Sequence, residues 1–459
     1  MIPIIDFERR TFAGPIMSAN DFDDMLMDTA MELVEKYDLN FDLDTIIADD
    51  ERADAVFQAA VEFLATVGVY NRSASQVIQW TEEEIREMAE DYKTNPRSFV
   101  FGAGKEQHTV TARTAGDGRT PVIWAGGGPL FQAQFIEPSI TAFVKEPSVK
   151  GFLKAGAVAK AGDLDARADC PSEIYAQLTE TDTQIAALKK AGREGMFLGN
   201  INSPSPTSGA LCVRPGRYEP TQCMMGVHIA PEQKLDWSRL QSALACEDMG
   251  VTPWASAMSM LGGLAGGPGG AAMCATANLL AQLSYSHSPW SSVSITDMKG
   301  SSKTKMTLAC LSAALRAAER NLSLPTGVPC CDSTVSTCLE EAIIAAALIA
   351  VVSTASGAAI NWLTGTSPLT ARIQDDIMKN VCGMRVEEVE PIIHKMLDLL
   401  AQVQKDHEGQ TLPFTDQLFF AVYDLKTLEP KQDYKAAVAN AVALMRGAGV
   451  PISDSLSLD

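Results

Sequence analysis

Val251-Thr252-Pro253-Trp254-Ala255-Ser256-Ala257, then a glycine-rich stretch, then Gly270 to Leu283, Ser291 to Ile295 and Lys303 to Asn321: this part of the chain sets the fold class. Short apolar runs of strand length, each ending in small or polar residues, alternate with longer runs of helical length. That order is expected of parallel β-α-β units. Outward from it the alternation begins near residue 120. Further candidate strands are Pro121 to Ala125, Ala155 to Lys160, Gly195 to Gly199, Met224 to Ile229 and a segment near Val328. Further candidate helices are Ser172 to Ala191, Trp237 to Ala245, Ser336 to Ser353 and Ser367 to Cys382. Seven or eight such units with glycine-rich loops suit an α/β fold closed as a (β/α)8 barrel.

On either side of this region the period changes. Phe22, Leu26, Ala30, Leu33 and Val34 recur near helical spacing, as do the apolar residues of Asp54 to Leu64 and Glu82 to Asp91, so residues 1–110 are expected to form a helical extension packed on the barrel. The barrel is expected over 111–385, and Val386 to Gln404 with Lys431 to Arg446 form a carboxy-terminal helical cap over 386–459. No repeat or flexible linker divides the barrel. The most apolar run, Ile343 to Val352, is shorter than a bilayer needs and follows Glu340 and Glu341, so it reads as a buried helix.

With 459 residues, 46% hydrophobic and 20% charged, the chain can bury a large core. A net charge of -20 without clustered Lys and Arg excludes a nucleic-acid partner and favours cationic ligands or plain solubility. Ten cysteines, and a start, Met1-Ile2-Pro3-Ile4-Ile5-Asp6, that lacks a basic and apolar leader, read as reduced thiols of a cytoplasmic protein.

Several motifs carry a resemblance. Gly195-Met196-Phe197-Leu198-Gly199, Ser205-Pro206-Thr207-Ser208-Gly209 and Met260-Leu261-Gly262-Gly263-Leu264-Ala265-Gly266-Gly267 stand in order with Phe99-Val100-Phe101-Gly102-Ala103-Gly104, Thr354-Ala355-Ser356-Gly357 and Tyr423-Asp424-Leu425-Lys426-Thr427. Together, at nearly constant spacing, they resemble the monomethylamine methyltransferase family over nearly the whole chain. The resemblance implies a TIM-type barrel that moves a methyl group from an amine to the reduced cobalt of a cognate corrinoid protein. The corrinoid would come from that partner rather than be held tightly, and a homo-oligomer would be expected. In the family the position matching Ser208 carries pyrrolysine, and two site glutamates fall on Gly226 and Ser256 here.

Those three differences imply a donor that needs no activation by the enzyme. A quaternary ammonium is one: attack on its methyl expels a neutral tertiary amine and no proton has to be supplied. Another methylated amine, a thioether or an ether are the alternatives within the same fold and partnership. A non-catalytic relative that binds a small molecule or the corrinoid protein is a reading of a different class.

Barrels place chemistry at strand carboxyl ends and in the loops that follow. That selects Trp124 with Gly126-Gly127-Gly128, Asp163 and Asp165, Asn200 and Asn202, Ser208, His228, Trp254 with Ser256, His287 with Trp290, Asp297, and Cys330-Cys331-Asp332. Ser208 and Ser256 are the catalytic candidates. A trimethylammonium group cannot donate a hydrogen bond and is held by ring faces and acidic charge. Trp124, Trp254, Tyr285, Trp290 and Trp362 supply rings, with Trp254 and Trp290 the preferred pair among them although a buried core role is the commoner reading of any single tryptophan, and Asp297 and Asp332 supply charge, although Asp332 equally suits a helix cap. His287 suits a substrate carboxylate or a proton, or is a satisfied loop histidine, whereas His228 reads as packing. Arg214 and Arg217 suit a carboxylate or are surface charges. Cysteine spacing lacks a CxxC pair, so buried thiols are preferred to a zinc site, and the glycine clusters read as loops that leave room at the barrel mouth.

Overall fold

Most candidate strands in the central region are short and largely apolar, which a sheet tolerates when helices cover one face and a closed interior the other. The computed structural model describes residues 2–126, 130–131, 135–153, 157–199, 201, 205–330, 335–363, 367–412 and 418–458. Seven parallel strands form one curled sheet: Val122–Ala125, Val149–Phe152, Met224–Gly226, Thr252–Leu261, Ser291–Asp297, Thr326–Pro329 and Ile360–Leu363. Residues 196–199 close the ring. Phe197 bridges Gly151 in parallel register and accepts from the Phe152 amide at 2.9 Å, while Leu198 donates to Gln222 at 2.8 Å and Gly199 accepts from Met224 at 2.9 Å. Counted in chain order, the barrel therefore has eight parallel strands among the described residues, with residues 196–199 as the third. The helices Ile136–Val144, Pro171–Lys190, Pro206–Ala210, Trp237–Met249, Pro268–Ser286, Lys305–Leu322, Leu339–Ala355 and Pro368–Val381 follow one strand each.

Two strands fall elsewhere than the sequence suggests. The second strand is Val149–Phe152, not Ala155 to Lys160; its Lys150 and Gly151 hide the strand pattern, and Gly151 is needed because a Cβ there would meet Phe197 at 3.2 Å. The eighth, Ile360–Leu363, was missed, since Asn361 interrupts its apolar run; its side chain is buried, donating to Met378 Sδ and accepting from Ser353 Oγ at 3.1 Å.

The amino-terminal part is mixed. Helices Ile4–Ala13, Ala19–Lys36, Asp50–Val67 and Glu82–Thr94 are accompanied by two antiparallel hairpins, one between the last two helices and one after them. Helix Asp50–Val67 buries Val56, Phe57, Ala60, Phe63 and Leu64, and its exposed start is pinned to helix Lys305–Leu322 by Arg316–Asp50 and Arg320–Asp54 pairs. The second hairpin, Ser98–Phe101 with His108–Thr111, closes the barrel from below. Gly102 and Ala103 donate to Thr221 and Gly195, residues that precede the fourth and third strands.

Helix Leu339–Ala355 is apolar all round because it lies between the barrel and the terminal helices Val386–Asp406 and Gln432–Gly447; every residue from Glu341 to Ala355 is buried. Among the described residues no helix is long and apolar enough to cross a membrane. Gly269 and Gly270 do not open the barrel mouth. A Cβ on either would strike Leu39 O at 2.0 Å or Ala265 O at 1.9 Å, so these glycines let helix Pro268–Ser286 pack tightly.

Candidate active site

Alternation along the fifth strand divides its side chains between two environments. Ala255, Ala257, Ser259 and Leu261 are buried on the helical side, with the Ser259 hydroxyl beside Cys274 of helix Pro268–Ser286. Trp254, Ser256, Met258 and Met260 face the interior, and of these Trp254, Met258 and Met260 are part-exposed there. In the sixth strand Ser292, Ser294 and Thr296 stand opposite Ser256, Met258 and Met260. Part exposure on the inner face of a barrel closed below marks an accessible lumen above the floor.

The floor is aromatic. Phe99 stacks on Trp290 at 5.0 Å and 6°, Phe101 meets Trp124 edge-on at 5.1 Å, and Trp124 lies 4.7 Å from Phe197. These rings are 0% exposed, and Met224, Ile360 and Trp362 complete the layer. The indole N–H groups of Trp124 and Trp290 find no acceptor among the described residues.

Above the floor the wall mixes hydroxyls with His228, Trp254, Met258 and Met260. The Trp254 indole, stacked 6.2 Å over Trp290, donates its N–H to Ser292 Oγ at 2.8 Å, and Ser292 Oγ donates to Ser256 Oγ at 2.6 Å. His228 packs its ring edge-on against Trp254 at 4.3 Å. Its Nε2 is sealed without a hydrogen-bond partner among the described residues. The residue is largely buried, and burial, with the nearby Arg239 charge adding to it, pulls the imidazole down to about 3 and keeps it neutral. None of Gly226, His228, Trp254, Ser256, Met258, Met260, Ser292, Ser294 and Thr296 carries a charge at neutral pH.

Gln282, buried on helix Pro268–Ser286, fixes this wall from behind. The paired register of the fourth and fifth strands ends at Gly226 and Trp254. Beyond it Gln282 Oε1 accepts from the Ser256 amide at 2.8 Å and Nε2 donates to the Ser256 carbonyl at 2.7 Å. Asn278, bonded to Gln282, in turn donates to Ala230 O at 2.9 Å. Sequence reasoning missed Gln282 and Ser292. Ser292 was signalled by the hydroxyls of Ser292, Ser294 and Thr296, two apart in a buried strand; Gln282 had no signal, because its partner is 26 residues away.

At the rim, loops are held by charge. Lys303 and Glu341, 5% and 0% exposed, pair at 2.7 Å. Although burial works against its charge, contacts from Lys303, Thr337 and Gln404 hold the Glu341 carboxyl below its usual range. Glu232 lies beside Gly263, with burial pushing its carboxyl up, the Asp23 charge adding to this and Lys234 opposing it.

The sequence candidates divide accordingly. Trp254 and Ser256 meet in the lumen, and His228, read as packing, joins them. Trp124 and Trp290 are inside the barrel but belong to the sealed floor. Tyr285 is a core residue of helix Pro268–Ser286 whose hydroxyl donates to Val227 O, and His287 ends that helix with φ 51°. Tyr285 lies in the last turn of the helix and His287 at its end, both on the floor side, and His287 faces a groove shared with Ile2, Met88, Asp91, Tyr92 and Arg97. Ser208 sits in the short helix Pro206–Ala210, fully buried, its hydroxyl turned back to Ser205 O at 2.9 Å. Next to it burial opposes the charge of Glu173, but the Ser205 hydroxyl, the Ser205 and Asp169 amides and the Ser208 hydroxyl hold its carboxyl low.

Arg214 is exposed, and Arg217 forms a two-pronged pair with Asp182 at 2.8 and 2.9 Å, outside the barrel. Asp297 is at the rim, accepting from the Lys299 and Ser301 amides at 2.8 and 2.9 Å, and so closes a turn. Asp163 and Asp165 are exposed on an outer hairpin. Asn200, Asn202, Gly127, Gly128, Cys331 and Asp332 lie outside the described residues. Cys330 is buried, with its sulfur 3.9 Å from Ser353 Oγ.

Comparison with known proteins places this geometry. A family model described as monomethylamine methyltransferase MtmB matches residues 2–450. Monomethylamine methyltransferase MtmB of Methanosarcina mazei is 24% identical over 455 residues, and MtmB1 of Methanosarcina barkeri is 25% identical over 457; each alignment covers 94% of both chains. The crystal structure of the M. barkeri monomethylamine methyltransferase superposes with a TM-score of 0.88 at 23% identity, covering 98% of both chains.

Proposed function

The chain belongs to the monomethylamine methyltransferase family and is a methyltransferase, and on that premise we propose that its upper lumen binds a small quaternary amine and delivers one methyl group to the Co(I) of a cognate corrinoid protein. The methyl carbon leaves nitrogen for the partner's cobalt, the C–N bonding pair stays on nitrogen, and a neutral tertiary amine departs. No proton moves, so no acid, base or pyrrolysine is required of this chain. Its residues exclude water, orient the ammonium and offer it a ring face.

The observation that carries this reading is the part-exposed Trp254 indole beside inner-face residues of the fourth to sixth strands that, among the described residues named above, carry no formal charge. A methylammonium ion needs acceptors for its N–H groups. A quaternary ammonium needs none and is stabilised by an indole face, by about 0.5–2 kcal/mol depending on desolvation. Gly226 and Ser256 stand where the family resemblance puts carboxylates, which agrees with a substrate that makes no charged hydrogen bonds to the wall. Ser208, turned into its own helix, is given no reacting role.

The test is methyl transfer to reduced cobalamin or the corrinoid protein, read from the visible spectrum of methylcobalt across quaternary amines, methylamines, thioethers and methyl ethers. Methylation by a quaternary amine and not by methylamine is expected. Methylation by methylamine alone would return the chain to its relatives' named substrate, and binding of the corrinoid protein with no transfer from any donor would make it a non-catalytic relative.

A further inference from the structure

Pairing between the fourth and fifth strands stops at Gly226 and Trp254, although the fifth strand runs on to Leu261. The last ladder bond is donated by the Val227 amide to Trp254 O at 3.1 Å. A parallel ladder continued from there would next bond Ser256 N to Val227 O, and then Ile229 N to Ser256 O. In the protein neither bond forms, because helix Pro268–Ser286 takes these groups. Val227 O accepts from the Tyr285 hydroxyl, while Gln282 holds the Ser256 amide at 2.8 Å and the Ser256 carbonyl at 2.7 Å. One step on, Asn278 Nδ2 donates to Ala230 O at 2.9 Å.

Asn278, Gln282 and Tyr285 stand at i, i+4 and i+7, on one face of their helix, and all three are buried. Apolar side chains alone can seat a helix on a barrel, and two buried carboxamides are costly unless their polar atoms are bonded. Here they are bonded to the two strands and to each other. A carboxamide has the donor and the acceptor of a peptide unit, so Gln282 takes the place of the missing residue of the fourth strand. The helix covers this gap from outside, and the inner side of the gap belongs to the lumen. Trp254, Met258 and Met260 are part-exposed there.

We infer that Gln282 is a positioning residue of the methyl-transfer site: with Asn278 and Tyr285 it holds the barrel wall parted between the fourth and fifth strands, and that parting makes part of the room in which the methyl donor binds. This rests on the reading of the lumen beside Trp254 as the donor site and adds to it a residue that touches no substrate. With the ladder closed, His228 would stand beside Ser256 and Ala230 beside Met258, about 4.8 Å from the fifth strand, and the lumen would be narrower at that level.

Gln282→Met tests it on the whole chain, keeping the length of the side chain and removing both bonds to Ser256. The freed Ser256 amide and carbonyl then find Val227 O and Ile229 N, and the ladder closes. Hydrogen exchange over residues 227–231, read by mass spectrometry, should slow by about tenfold or more. Loss of a merely structural contact would speed it, so the direction separates the two roles. Tetramethylammonium, followed by titration calorimetry, should bind about fivefold more weakly or worse, although Gln282 does not reach it. Tyr285→Phe frees only Val227 O and should move both readouts the same way by less, which keeps the test decisive should Gln282→Met not fold. Exchange over 227–231 that is unchanged or faster in the variants would overturn the inference, as would slower exchange with unchanged affinity. Slower exchange in a protein whose wild type does not bind tetramethylammonium would overturn the quaternary-amine reading and leave the parted wall standing.

Discussion

The two halves of the barrel interior are built from the same strands and differ in what they leave unfilled. Below, Trp124, Trp290, Phe99, Phe101 and Phe197 fill the space with rings and the 98–111 hairpin seals it. Above, the next inward positions on the fifth and sixth strands are Ser256 and Ser292, still buried, and then Met258, Met260, Ser294 and Thr296, which are part-exposed. Aromatic side chains mark where the barrel is held together, and part-exposed ones mark where its interior is open. Trp254 belongs to both halves, stacked on the floor by one face and part-exposed at its edge of the lumen.

Substitutions of the two kinds should separate the halves. Trp290→Ala removes a fully buried ring from the floor and is expected to cost about 3–5 kcal/mol in denaturant unfolding. Ser294→Ala, two inward positions up and part-exposed, should stay within about 0.5 kcal/mol. Similar costs at both positions would mean that the upper lumen is packed core and the contrast is false.

A smaller effect sharpens the comparison through pH. His228 is held neutral, its pKa lowered from 6.5 to about 3, chiefly by burial. Below pH 6.5 the unfolded chain takes up a proton that the folded chain refuses, so stability falls from there down towards pH 3 and is flat above. Between pH 7.5 and 5.5 wild type should lose about 1.4 kcal/mol more than His228→Gln in urea unfolding. Equal losses would place the imidazole in contact with bulk water and the lumen wall with it.

The fold was legible to the extent that its elements repeat. Alternating strand and helix lengths, with the ordered motifs from Phe99 to Tyr423, pointed to the barrel. The two misread strands are those whose apolar pattern is broken by residues with tertiary partners: Gly151, which makes room for Phe197, and Asn361, which is satisfied by Ser353 and Met378. The site was less legible. Trp254 and Ser256 were chosen from a strand end, and the structure puts both on the inner face of the fifth strand. Tyr285, His287 and Trp290 were misplaced because a chain gives the same loop-like signal at both ends of a barrel, and only the path of helix Pro268–Ser286 shows that they lie at the floor. Ser208 follows the third strand as expected, but its hydroxyl turns into its own helix, and side-chain direction is not written in spacing.

The most direct test of the account is the affinity of Trp254→Leu for tetramethylammonium, measured by titration calorimetry beside wild type. If the quaternary ammonium lies on the Trp254 face, the variant should bind roughly 3- to 30-fold more weakly, the range expected for loss of a cation–π contact. Unchanged affinity in a folded Trp254→Leu variant would contradict the placement of the methyl donor in the upper lumen.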